Sequence, residues 1–485
     1  MLLIKSAIFV CLIVAIAMLT GLVASQYPPF ILLAVLAAIV IFTLAFLNTE
    51  AALYILVFSM LLSPELIVGG TGQTGALARG VTIRLDDFLL LIIGFSWFAK
   101  TAIHKEIGLF VKTPLNRPIF YYMIACLLAT GVGIMAGRVK PTAGFFFVLK
   151  YFEYFIVFFM VANHLETRQQ LKRFLYFMFL TCLIVSIIGI IQIPAGGRVS
   201  APFEGESGEP NTFGGYLMFM GALAAGILPA VSDGRARLFL ILVLLFIIPP
   251  FLFTESRSSY LAAIPAILTA GFLANRKVIV LGFIAVLLLM SPFILPSNVI
   301  DRITYTFKQA YYPGQQIEIA GIRFDTSTTA RLQSWQEGLR DWTNHPILGR
   351  GVTGYAFMDA QYPKVLVETG ILGLAAFLYI LYSIFKMALE NLRQLSDPFY
   401  KGLVKGFIAG YVGLLVHAIG ANTFIIVRIM EPFWFVVGML VVLPQLQAAE
   451  ESDDTMDARH ATASVERQTL THRLPAPFGG HRLFP

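Results

Sequence analysis

The chain has 485 residues, 58% of them hydrophobic and only 13% charged, with a formal net charge of +7. A soluble domain carries roughly a quarter of its residues as Asp, Glu, Lys and Arg, so this composition excludes an ordinary water-soluble enzyme. The basic excess is spread over many short loops, which marks membrane topology and not a nucleic-acid surface.

Apolar windows of 17–25 residues, each long enough to cross a bilayer as helix, recur along the chain. Fourteen can be marked, at roughly 6–24, 30–47, 50–66, 87–103, 118–136, 144–162, 172–193, 211–231, 237–254, 258–274, 278–295, 363–385, 403–421 and 428–446. The predicted fold is therefore all-α, a polytopic transmembrane bundle of about fourteen helices. The first window follows Lys5 and outruns the apolar stretch of a usual signal peptide, so a retained anchor is expected. Lys5, Lys100, Lys105, Lys112, Arg117, Arg168, Lys172, Arg173, Arg235, Arg237, Arg276, Lys277, Lys386, Arg393, Lys401 and Lys405 all fall on one face. They outnumber the opposite short loops by about sixteen to seven, so that face is predicted to be cytoplasmic. Both termini are then inside. The chain divides into helices one to eleven (1–295), a large extracytoplasmic loop (296–362), helices twelve to fourteen (363–446) and a polar tail (447–485) expected to be disordered. Cys11, Cys126 and Cys182 sit in three different apolar windows and are expected as small buried hydrophobes.

After the third window, Gly69-Gly70-Thr71-Gly72 leads to Arg84-Leu85-Asp86-Asp87. Paired acids can hold a metal, but at a helix start they satisfy free amides and suit the dipole, so capping is expected. The sixth window holds Lys150 and Glu153 on one helical face, about two turns below the outer surface. Charges at that depth face the bundle interior or a wet cavity, so the two either neutralise each other or line a polar substrate path. In the next outer loop, Pro210-Asn211-Thr212 opens the eighth helix, with Asn211 as its expected N-cap and substrate contact as the alternative. Pro249-Pro250 is predicted to kink or break the ninth helix.

A polar island follows, Thr254-Glu255-Ser256-Arg257-Ser258-Ser259. Ser256 or Ser258 can cap the tenth helix, whose N-terminus beside Arg257 makes an anion site; pairing of Arg257 with Glu255 is the plainer alternative. The stretch 291–368 then interleaves Arg302, Lys308, Arg323, Arg331, Arg340 and Arg350 with Asp301, Glu318, Asp325, Glu337, Asp341 and Asp359. Within it, Ser327-Thr328-Thr329 precedes a predicted amphipathic helix over about 330–343. Leu332, Trp335, Leu339 and Trp342 form one stripe, and its two Trp predict a helix lying at the lipid headgroups, with Arg331 in reach of a phosphate. Residues 349–354 have GxGxxG spacing without a strand–turn–helix context, so a tight turn is expected there and not a dinucleotide site. Pro363 opens the twelfth helix, with Asp359 just outside it and Glu368 about a turn and a half within. His417, Asn422, Arg428 and Glu431 fall near the outer ends of the last two helices.

Taken in order and spacing, four short pieces resemble the signature of the bacterial O-antigen ligase and polymerase family. They are Thr254-Glu255-Ser256-Arg257, Ala330-Arg331-Leu332 with Trp335, Pro346 with Gly349 and Gly351, and Glu368-Thr369-Gly370-Ile371-Leu372-Gly373, spread over about 200–375. The resemblance implies a membrane glycosyltransferase that moves a glycan from an undecaprenyl-diphosphate carrier to an acceptor hydroxyl, on the outer face of the inner membrane and without a cofactor. Ligases use lipid A core as acceptor and polymerases another lipid-linked repeat, in cell-surface or exopolysaccharide assembly alongside other assembly proteins. It places Arg257 and Arg331 on the family's diphosphate-handling arginines. Ligases carry His nine residues before the Glu of the Glu-x-Gly motif; here that position is Asp359, which favours a polymerase-like or exopolysaccharide-type member.

The residues suit that chemistry. A diphosphate leaves readily once its charge is stabilised, which Arg does with fixed bidentate donors and no metal. Only the acceptor needs a base. Asp359 is the expected base; Glu368, lower and buried, is expected to be a neutral hydrogen-bond donor with an orienting role. Arg257, Arg331, Asp359 and Glu368 are the candidate catalytic residues, and Lys150, Asn211, Arg257, Arg331 and Arg350 the candidate substrate contacts. A lipid-linked oligosaccharide flippase or other transporter is the rival class, though no internal repeat is visible in the sequence.

Overall fold

A computed structural model describes residues 29–68, 81–103, 111–203, 208–274, 299–301, 304–305, 309–310, 316–319, 322–356 and 358–471. Its first three helices are α1 (Pro29–Leu47), α2 (Thr49–Leu62) and α3 (Leu85–Ile103), with the antiparallel hairpin β1 (Glu65–Val68) and β2 (Val81–Arg84) between α2 and α3. There follow α4 (Asn116–Met135), α5 (Pro141–His164), α6 (Arg168–Gln192), α7 (Pro210–Ile227), α8 (Gly234–Phe253) and α9 (Arg257–Leu273). A two-residue hairpin, β3 (Glu318–Ile319) with β4 (Ile322–Arg323), precedes α10 (Thr326–Trp342). The chain then runs through α11 (Gln361–Gln394), α12 (Pro398–Gly420) and α13 (Val427–Thr471).

Among the described residues, α4 to α8 and α11 to α13 make eight helices long and apolar enough to cross a membrane, and the chain is an integral membrane protein. The helices begin where local chemistry tells them to. Thr167 and Gln170 form a capping box ahead of α6, Asp233 and Asp397 cap α8 and α12, and Pro141, Pro210 and Pro398 stand in first turns. The windows at 6–24 and 278–295, Cys11 and the loop 69–80 lie outside the described residues. Cys126 and Cys182 are buried and unbridged, as expected.

The bundle closes around α12 and α13. α12 packs on α7 and α9, α13 on α5, α11 on α4, and α6 on α8. Along α12 small residues let the backbones meet: a Cβ added at Gly406 would lie 2.8 Å from the carbonyl of Ala222 on α7. Around this contact Phe407, Tyr411, Phe424 and Phe433 interlock, with ring centroids 5.5–6.5 Å apart.

Three expectations change. Of the kink or break expected at Pro249 and Pro250, a break does not occur at the prolines themselves; α8 carries both and ends three residues later, at Phe253. The polar tail continues α13 as helix as far as Thr471, with 472–485 outside the described residues, and its first turn has partners: Glu450 holds Arg168 (3.1 Å) and Tyr400 (2.7 Å), and Gln447 takes Ser396 N (2.8 Å). The helix at 330–343 begins earlier and faces inward. Its Trp335 and Trp342 pack with Tyr355 on Met358, Ala360 and Val367, so these two Trp close a small second core while Leu339 stays exposed.

The feature that positions the site is a break in α11. Gly370 has φ 68° and ψ −170°, a conformation essentially reserved for glycine, so the helical ladder stops there. The backbone groups released by the break are taken up by the loop before α11. Arg350 N donates to Val367 O (3.0 Å) and Gly351 N to Glu368 O (2.8 Å), while Ile371 N donates to Pro346 O (2.9 Å). This is how irregular backbone is tolerated inside a membrane protein: groups freed from the helix find protein partners. The glycines at 349 and 351, both at positive φ, make the tight turn expected of them and let the loop press against Gly133 of α4.

Candidate active site

The site is assembled on the first two turns of α10. Asp325 caps the helix, one carboxylate oxygen accepting from Thr328 N (3.2 Å), which explains why α10 starts ahead of the Trp stripe. The other oxygen takes the Arg257 guanidinium at 2.9 Å, and Arg257 also donates to Ser327 Oγ (3.3 Å). Asp325 is only 1% exposed, so this ion pair fixes the head of α9 to the head of α10. Glu255 is not the partner. It stands at φ 48°, a strained left-handed position, and its carbonyl accepts from Arg198 (3.3 Å). Further support comes from Gln309, whose side-chain Oε1 accepts from Thr326 N (2.7 Å), and from Ile317 N, which donates to Thr329 Oγ1 (3.0 Å).

A turn and a half along α10, Arg331 meets Asp359 at 2.9 Å. Both side chains keep about a quarter of their surface exposed, 28% and 26%, so a ligand can reach them. Arg257 of α9 and Asp359 of the loop before α11 are therefore both tied to the first half of α10, the one through its cap Asp325 and Ser327, the other through Arg331. Arg350 does not join them. It pairs with Asp341 at the far end of α10, about 15 Å along the axis from Arg331, and lies over the Tyr355 ring. There it ties α10 to the loop that plugs the break in α11. Beside it Arg138 donates to the His345 ring (3.0 Å to Nε2). Partial desolvation, then the Arg138 and Arg350 charges, hold that imidazole below its usual 6.5.

Glu368 is buried, and its carboxylate has two partners. Lys364, one turn earlier, donates to it at 2.8 Å, and Thr353 N donates at 3.1 Å. The carboxylate thus anchors the plugging loop from its side chain while its own carbonyl holds Gly351. Through these contacts it ties α11 to the loop beside the site.

Asn211 is not an N-cap. Pro210, with φ already set for a helix, starts α7 one residue earlier, with Glu209 in the cap position. Asn211 is released to accept from Ser256 Oγ (2.8 Å), and Ser256 caps α9 through Ser259 N (3.3 Å), as expected. Behind it runs a buried chain: Ser259 Oγ donates to Ser256 Oγ (2.7 Å) and lies 3.2 Å from His417 Nε2, while His417 Nδ1 is 2.8 Å from Thr423 Oγ1. Arg198 braces the same island by donating to Thr254 O (2.9 Å). Asn211 and Arg198 so hold the turn from which Arg257 projects.

Lys150 lies elsewhere. It reaches Asp87 of α3 (3.8 Å), within a buried ionic group that includes Arg84 with Asp86 (3.0 Å), Glu153, Arg428 and Glu431. Asp87 also accepts from Arg84 N (2.9 Å), the capping role expected of the acid pair. Arg428 donates to the carbonyls of Leu61 (3.0 Å) and Pro202 (2.7 Å), joining the end of α2 to the loop before α7. This group is carried by α3, α5 and α13, whereas the paired arginines stand on α9 and α10.

Among the described residues no three His, Cys, Asp or Glu side chains are grouped so as to hold a metal ion. Asp325, Arg198, Lys364 and the Arg138–His345 pair were not picked out from sequence. Asp325 followed by Thr328 is a capping signal, and Lys364 with Glu368 has helical ion-pair spacing, so both had a local sign. The other two are contacts between distant segments and had none.

Residues 238–378, from the first turns of α8 into α11, match the family described as O-antigen ligase. The matched stretch holds Arg257, Asp325, Arg331, Asp359 and Glu368 and excludes Lys150 and Asn211. No curated protein matches the chain.

Proposed function

We propose, from the premise that this integral membrane protein carries an O-antigen ligase domain, that it transfers a glycan from an undecaprenyl-diphosphate carrier to an acceptor hydroxyl at the extracytoplasmic face of the bacterial inner membrane. The observation that carries the proposal is that Arg257 and Asp359, from two other segments, are both tied by ion pairs to the first half of α10, which itself carries Arg331.

In the reaction the acceptor oxygen bonds to the anomeric carbon as the bond from that carbon to the diphosphate oxygen breaks. The electron pair leaves with the diphosphate, and the hydroxyl proton passes to Asp359. Two guanidiniums match the oxygens of a diphosphate and stabilise the charge as it develops. Each is held by a carboxylate in the structure, Arg257 by Asp325 and Arg331 by Asp359. Arg331 turning toward the diphosphate uncovers Asp359, whose lone pairs then accept the proton. Glu368 positions, through Thr353 N and Lys364, the loop next to the site. Asp359 at the position of the ligase His favours a polymerase or exopolysaccharide-type member. The guanidiniums supply the positive charge that the leaving group needs.

Deleting the gene and identifying the lipid-linked material that accumulates tests this. Single repeats on the outer face indicate a polymerase, and finished lipid-linked polymer indicates a ligase. A second reading, movement of a lipid-linked oligosaccharide across the membrane, is favoured by the broken α11 and the buried ionic group, both common in transporters. Repeats trapped on the inner face would establish that reading and overturn transfer.

A further inference from the structure

At the end of the bundle away from α10, a cavity of about 360 Å³ opens between the start of α6, the α7–α8 turn and the start of α12. Its composition is divided by depth. Arg168, Lys172 and Ser232 stand at its mouth, and Leu175, Phe179 and Leu240 line its apolar wall. Arg168 and Lys172 are one helical turn apart on α6, each over the ring of Phe399, at 5.7 and 5.6 Å. Arg168 is already engaged by Asp397 (2.8 Å) and Glu450 (3.1 Å), which hold it in place. Lys172 is exposed, as are Arg235 and Arg237 in the first turn of α8, whose Asp233, Ala236, Phe239 and Leu240 line the cavity. The one acid lining the cavity, Asp233, is turned to its own helix and accepts Ala236 N (2.8 Å). On its outer side α8 presents Leu238, Ile241 and Leu245 to the lipid, so the wall continues into the bilayer.

We propose that this cavity binds one anionic phospholipid of the leaflet opposite the active site. The phosphate sits at Lys172 and Ser232, and an acyl chain runs along Leu175, Phe179 and Leu240. A basic mouth over an apolar wall between membrane helices is the arrangement that selects an acidic headgroup. A phosphatidylcholine would bring its own cation against Lys172 and gain less. The bound lipid bridges α6 to α8. The site is independent of the transfer reaction proposed above.

The test is native mass spectrometry of the full chain in detergent, titrated with phosphatidylglycerol or phosphatidylcholine. Wild type should retain one phosphatidylglycerol in preference to phosphatidylcholine. Lys172→Gln should weaken that retention about fivefold, Lys172→Glu about thirtyfold, and Lys172→Arg should preserve it. Because Lys172 is exposed, these variants are expected to fold, which the unchanged elution of the purified protein would verify. Equal retention of the two lipids by wild type, equal phosphatidylglycerol retention by wild type and Lys172→Glu, or displacement of the lipid by millimolar inorganic phosphate would each overturn the proposal.

Discussion

Replacing Glu368 by Gln distinguishes a framework role from a chemical one. Gln keeps the shape and a carbonyl oxygen for Thr353 N, but removes the negative charge 2.8 Å from Lys364. Lys364 is itself only 13% exposed, so its ammonium is left largely buried without a counterion. Breaking a fully buried pair in this way costs about 3–5 kcal/mol; with Lys364 partly exposed, roughly 2 kcal/mol is expected. The loop that plugs the break in α11 hangs on the same residue, so the loss should be felt as a looser loop and a lower melting temperature. Adding Lys364→Met removes the stranded cation, and the double variant should recover about 1 kcal/mol or more. The assay is the apparent Tm of purified protein in detergent, beside polymer formed by each variant in the deletion strain. Glu368→Gln should lower both, and the double variant should restore both in part. A Glu368→Gln protein with an unchanged Tm and no polymer, and no rescue by Lys364→Met, would refute the framework role and place the carboxylate in the reaction.

Asp359→Asn should lower transfer by about 10²-fold or more while leaving donor binding intact, and Asp359→His should keep part of the rate; a wild-type rate for Asp359→Asn would remove it as the base. Gly370→Ala forces a side chain into φ 68° and against the backbone of Ile347, so it should cost about 1–3 kcal/mol from the backbone alone, read as a Tm lowered by several degrees. An unaltered Tm would mean that the helix can pass without the break. The His345 imidazole is held below its usual 6.5, so the folded chain binds fewer protons there than the unfolded chain. Its contribution is therefore full above about 6.5 and lost as pH falls below that value. Between pH 7 and 5 the Tm of wild type should drop further than that of His345→Gln, and parallel curves would show that His345 does not titrate in the fold.

Much of the bundle was legible in sequence because a membrane simplifies the code: a long apolar run has few fates other than a spanning helix. The helix starts at Ser256, Thr326 and Pro398 likewise carry local signatures of capping residue or proline. What misled was orientation. The Trp stripe of α10 has the spacing of a headgroup helix, and spacing alone does not say whether the apolar face meets lipid or, as here, Met358 and Val367. Asn211 showed a similar limit, since two adjacent residues can each begin a helix and Pro210 prevailed. At the site, the arginines stood out by charge, but their carboxylate partners lie 68 and 28 residues away, and such pairings are set by the fold. The break at Gly370 was hidden for another reason. Its φ and ψ are permitted by glycine without being required by it, and only the plugging loop, some twenty residues earlier, makes them necessary.

That break also sets a depth. Beyond it, residues 371–394 form a helix about 36 Å long, a good match to a hydrocarbon core of about 30 Å with slight tilt. Before it, residues 361–369, with Lys364 and Glu368, span only about 13 Å, too short to cross a bilayer alone. Asp359 stands two residues ahead of this short piece and holds Arg331; on the transfer proposed above, the pair would meet the phosphates of a lipid carrier whose hydrocarbon tail remains in the membrane. For the transfer proposed here, the sugar chain would lengthen directly into water. It would not have to thread a tunnel through the bundle, and no dimension of the protein would act as a ruler. Product length would then be decided by kinetics, in the competition between another round of transfer and departure of the chain.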